Sequence, residues 1–106
     1  MKTALMFSLI GLLFLAGLAA ASLTDSTIDH GKEVYAVQKC ALCHSIAGIG
    51  GKKLALDGAG LKLKPEDIKK WIRTPKEMKA NTTMKPYPNL PERDLNDLTA
   101  FLMTLR

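Results

Sequence analysis

Aromatic side chains are scarce in this chain: 106 residues hold one Trp, two Tyr and three Phe. There are only two cysteines and two histidines. Two thiols cannot build the multi-bridge framework of a small secreted scaffold. A zinc site lacks donors, because only His30 remains to join Cys40, Cys43 and His44, and there is no second cysteine pair. The thioredoxin type of redox pair needs a surrounding βαβ pattern, which the sequence does not have. The chain is basic, with 15 Lys and Arg against 10 Asp and Glu. Yet no aromatic residues interleave with the lysines to stack bases, so nucleic acid is not an expected partner.

Charge is also missing from the N-terminus. Lys2 is the only charge before Asp25, and the stretch from Ala4 to Leu18 is apolar apart from Ser8 and the glycines. Ala19-Ala20-Ala21 follows, so residues 1–21 read as a secretory signal cleaved after Ala21. The uncharged run from Thr3 to Thr24 is also about the ~20 residues that a helix needs to cross a bilayer, which leaves a retained membrane anchor as the alternative. Either way the chain is exported: periplasmic, or anchored in the inner membrane facing the periplasm. Residues 22–106 form one domain of 85 residues, in which side chains alone would make a marginal core.

The two cysteines and one histidine converge in Cys40-Ala41-Leu42-Cys43-His44. Two thiols three positions apart can add to the two vinyl groups of a protohaem, and the adjacent imidazole then meets the iron. A covalently bound haem c, one per chain, is the expected cofactor. Its flat apolar surface supplies the core that the scarce aromatics do not.

Past residue 21 the pattern is helical, and the expected class is all-α, with three to five short helices around the haem. A first helix is expected over 28–39, with Ile28, Gly31, Val34 and Tyr35 on one stripe. Gly48, Gly50, Gly51, Gly58 and Gly60 predict a loop without helix. A second helix opens at Pro65, where Glu66 and Asp67 complement its dipole, buries Ile68, Trp71 and Ile72, and stops before Pro75. Prolines 86, 88 and 91 stiffen the next loop. Pro91, Glu92 and Asp94 start the last helix, striped by Leu95, Leu98, Phe101, Leu102 and Leu105.

Electron transfer calls for a second axial ligand, and a thioether would raise the potential. Met103 lies in the last helix as a core filler, and Met78 sits three residues after Pro75. Met84, in the proline-stiffened loop, is the expected ligand, with Met78 the alternative. His30 reads as a surface histidine of the first helix.

These residues resemble a small class I monohaem cytochrome c of the bacterial periplasmic kind over the whole of residues 22–106. Gly31 and Tyr35 match the family's glycine and aromatic pair, and Leu98 and Phe101 match their partners where the terminal helices cross. Leu56-Asp57-Gly58-Ala59-Gly60 looks like the family's haem-edge loop. The nine-residue step from Pro75 to Met84 matches the family's proline and axial methionine, and Thr82 falls near a propionate. The resemblance therefore implies His44 and Met84 on the iron, Cys40 and Cys43 bound to the haem, and Leu56, Ile68, Trp71, Ile72 and Thr82 around it. One departure is visible: Leu54 or Ala55 stands where the family has a proline whose carbonyl holds the proximal histidine.

The function expected is electron transfer, with no catalytic residue. The alternative is a fixed haem subunit of a membrane respiratory or dehydrogenase complex with its anchor retained. Residues 52–85 carry ten basic against four acidic side chains. They predict a docking face for acidic redox partner proteins. The chain is expected to be a monomer, touching the membrane only if the N-terminal segment is retained.

Overall fold

The computed structural model describes residues 15–52 and 54–106. The expected signal or anchor therefore falls largely outside the described residues. Helix α1 spans Leu15–Val37. It begins well before the expected start at residue 28, since the Ala- and Leu-rich run ahead of Asp25 favours helix. Among the described residues, no helix is long and apolar enough to cross a membrane. Lys39, in the left-handed region at φ 58°, turns the chain into a single 3-10 turn at Cys40–Leu42.

The glycine-rich segment holds more structure than a loop. Strands β1 (His44–Ile46), β2 (Ile49–Gly50) and β3 (Leu54–Ala55) form a small sheet in the order β2-β1-β3. The β1–β2 pair is antiparallel, with Ile46 opposite Ile49, and β3 runs parallel to β1, with His44 opposite Leu54. Ala47 and Gly48 both take positive φ, 51° and 79°, which gives the two-residue hairpin turn its hand. The Asp57 carboxylate accepts the Ala47 N–H at 2.8 Å and ties the hairpin to the following turn. The expected all-α class is thus corrected to a helical fold with a small sheet.

Helix α2 (Ala59–Lys62) contains Gly60, so the glycines do not exclude helix here. Tertiary contact decides the matter: the Gly60 N–H donates to the Leu105 carbonyl at 2.8 Å, and a Cβ on Gly60 would collide with the Met103 backbone. Helix α3 (Pro65–Arg73) begins with proline at its first position, and the Asp67 carboxylate accepts the Lys64 N–H at 3.4 Å. It ends before Pro75, as expected. That proline opens a further turn, α4 (Pro75–Met78). Helix α5 (Glu92–Met103) follows the proline loop.

The main helix contact is α1 against α5. A Cβ on Gly31 would fall on the Asp97 carbonyl oxygen and 2.7 Å from Phe101 Cβ, so only glycine permits this approach. Tyr35 and Phe101 meet edge to face one turn further on, their centroids 5.9 Å apart. Val34, Ile68, Ile72, Leu90, Leu95, Leu98, Phe101 and Leu102 are the buried core.

His30 is a correction. It is half-buried, with Nδ1 2.6 Å from Asp97 Oδ2 and Nε2 3.4 Å from Asp94 Oδ1, and it joins α1 to two successive turns of α5. Aspartates three apart on a helix share a face, and a histidine from the facing helix reaches both.

Candidate functional site

Helices α1, α2, α3 and α5, the 3-10 turn, the sheet and the 79–84 segment line a cavity of about 290 Å³ that opens to the surface. Cys40, His44, Leu56, Ile68, Trp71, Ile72, Thr82 and Met84 all line it. Cys43 does not. It is exposed at the end of the 3-10 turn, whereas Cys40 is partly buried. Met78 and Met103 are absent from the lining, although both are half-buried. Met84 is thus the one of these three methionines that shares a cavity with His44.

The donor set fits a haem. The walls are aliphatic and aromatic apart from a thiol, an imidazole, a thioether, a lysine and two hydroxyl residues. His44 Nδ1 donates to the Leu54 carbonyl at 3.2 Å, which leaves Nε2 with the free lone pair that a metal takes. Register explains the contact: β3 runs parallel to β1 with Leu54 beside His44, so a leucine supplies the carbonyl that a proline offers in the family it resembles. The Tyr35 hydroxyl is buried on the cavity wall without a hydrogen-bond partner among the described residues. A buried hydroxyl in that state points to an occupant with its own polar atoms.

Burial pushes the phenol of Tyr35 above its ordinary range, with a smaller upward push from Cys40 beside it. The Cys40 thiol is itself pushed up by burial, against a smaller opposing backbone hydrogen bond. Both groups therefore stay protonated and neutral at neutral pH. Thr82 is engaged locally, its hydroxyl oxygen accepting the Met84 N–H at 3.3 Å. Its own hydroxyl proton remains available.

Leu63 and Leu102 line the cavity as well and escape sequence reasoning, whereas Ala59 belongs to the segment that resembles a haem-edge loop and Lys79 to the basic residues 52–85. Helical periodicity places Leu102 in the core but does not tell which core residues border a cavity. Lys79 follows a four-residue turn whose existence the sequence did not signal.

Covalent-type motif, apolar cavity and crossed terminal helices together define the class, a small monohaem cytochrome c-like protein. The chain belongs to the family described as cytochrome c oxidase, cbb3-type, subunit III, which it matches over residues 26–102. This is a cytochrome c type domain, which implies a haem cofactor and haem-based electron transfer. The chain is also similar to cytochrome c oxidase subunit 2 of Alkalihalophilus pseudofirmus, 28% identical over 93 residues. That alignment covers 78% of this chain and 27% of the relative, so the chain spans about a quarter of the curated protein it matches. No solved structure matches the chain.

Proposed function

We propose that the protein is a one-electron carrier that holds a single haem c through Cys40 and Cys43, with His44 and Met84 as axial ligands. The observation that carries this reading is the placement of an imidazole and a thioether, His44 and Met84, in one apolar cavity beside Cys40. When bound, the haem supplies exchange between Fe(III) and Fe(II), and methionine ligation favours a higher potential. The chain does the rest. The Leu54 carbonyl fixes the tautomer and plane of His44. Leu56, Ile68, Trp71 and Ile72 exclude water, and Thr82 and Tyr35 offer hydroxyls to the polar edge of the group. No residue acts as acid, base or nucleophile.

Residues 1–21 are read as an export signal and the working location as the periplasm. The second reading is a fixed haem subunit of a membrane complex, anchored there by residues 3–24. It draws support from the family and the relative, both described as oxidase subunits. Intact mass under denaturing conditions separates the two: a free carrier begins near Ser22 and weighs one haem more than its polypeptide. A retained N-terminus supports the anchored subunit. Replacing Cys40 and Cys43 together by alanine is expected to abolish the added mass and leave an unfolded or degraded chain. A stable, helical, haem-free variant would contradict the claim that attachment and core formation are one event.

A further inference from the structure

Among the described residues, the segment that presents Met84 makes no long-range hydrogen bond of its own: Met84 N–H donates to the Thr82 hydroxyl, two residues away, and Thr82 N–H to the Lys79 carbonyl. The first bonds to other elements come three residues later, at Tyr87. Its backbone N–H donates to the Ile72 carbonyl at 2.8 Å, and its hydroxyl donates to the Gln38 carbonyl at 3.1 Å.

These two acceptors are not incidental. Ile72 is a wall of the cavity, and Gln38 lies just past the end of α1, two residues before Cys40. A carbonyl at a helix end lacks an intrahelical partner, and the phenol supplies one. The ring is half-buried against the core, with Lys85 Nζ 5.6 Å above its centroid. One residue further on, Arg73 Nη1 donates to the Pro88 carbonyl at 2.8 Å while Nη2 pairs with Glu92 at 3.0 Å. Prolines 86 and 88 on either side of Tyr87 make the connection stiff, so a displacement at the ring is passed along the chain.

We propose that Tyr87 is the positioning residue for Met84: by joining the methionine loop to Ile72 and to the segment entering the attachment motif, it sets how firmly the thioether is held at the iron. The proposal rests on the reading of Met84 as the axial ligand. If Met84 leaves the iron only when its loop lifts, the Tyr87 hydroxyl bond is lost in the same step, and removing that bond eases departure.

The test uses the haem-loaded ferric protein and imidazole as the competing ligand, followed by loss of the weak near-infrared band of iron-thioether bonding. Tyr87→Phe keeps the ring and the backbone bond but removes the hydroxyl. One hydrogen bond of ordinary net strength corresponds to about fivefold tighter apparent imidazole binding. His30→Ala, at the α1–α5 crossing, is the comparison variant: it lowers overall stability and leaves imidazole binding unchanged. Should Tyr87→Phe fail to load haem, Arg73→Gln, which frees the Pro88 carbonyl on the same loop, is expected to tighten imidazole binding in the same direction. Unchanged imidazole binding in Tyr87→Phe, whatever its stability, would overturn the proposal and leave Tyr87 a packing residue. Absence of the near-infrared band from the unmutated protein is a different result, and it would overturn the ligand assignment together with the proposal.

Discussion

His44 owes its orientation to a backbone carbonyl, and His30 owes its place to two carboxylates on another helix. These contrasting settings show what single residues reveal in a sequence. The first histidine announces itself, because Cys40, Cys43 and His44 form a local motif whose chemistry depends only on spacing. The second carries no such signature: its partners lie 64 and 67 positions away, and only the crossing of α1 and α5 brings them together. Leu54 lies between the two: the resemblance narrows the carbonyl to Leu54 or Ala55, and the parallel register of β3 with β1 selects Leu54. The unpartnered Tyr35 hydroxyl is a consequence of packing. His30→Ala removes a side chain bonded to Asp97 and close to Asp94, and is expected to lower unfolding free energy by about 1–2 kcal/mol. Denaturant titration of the haem-loaded protein checks the loss, and an unchanged visible spectrum confirms that His30 takes no part in ligation.

At the scale of elements, close approach matters more than propensity. Gly31 faces the Asp97 carbonyl and Phe101, and α1 can meet α5 only across a residue without a side chain. Gly31→Val is therefore expected to cost ~3 kcal/mol or more, since overpacking meets backbone that cannot yield. A thermal melt showing less than a few degrees of change would mean that the helices part without penalty. Helices α3 and α5 were legible because their signals are local: Pro65 with acidic neighbours in one, a periodic leucine stripe in the other. The hairpin was not. It depends on a positive φ at Ala47, a residue that gives no turn signal, and on pairing between strands only two or three residues long. Nor could the short helix through Gly60 be read, because its stability comes from contact with the far end of α5.

At the scale of the whole molecule, charge and cavity define what the protein does. Lys52, Lys79 and Lys85 are exposed, and Lys79 borders the cavity itself. Reduction of the ferric protein by the hexacyanoferrate(II) anion is expected to slow steeply as salt is raised. Exposed charges are screened beyond roughly 8–10 Å near physiological ionic strength. Charge reversal at Lys52, Lys79 or Lys85 is expected to slow the reaction at low salt more than reversal at Lys69 or Lys70 on α3. Arg73 does not belong in that comparison, because it is committed to Pro88 and Glu92. A rate indifferent to salt would leave the lysines as solubilising groups. The claim on which the rest depends is that the molecule is organised around one haem with His44 and Met84 on its iron. The near-infrared spectrum of the ferric protein tests it most directly, in the unmutated chain and in Met84→Ala and Met78→Ala. The account predicts the weak thioether band in the first, its loss in Met84→Ala and its persistence in Met78→Ala, whereas a band that survives loss of Met84 and vanishes with Met78 would contradict it.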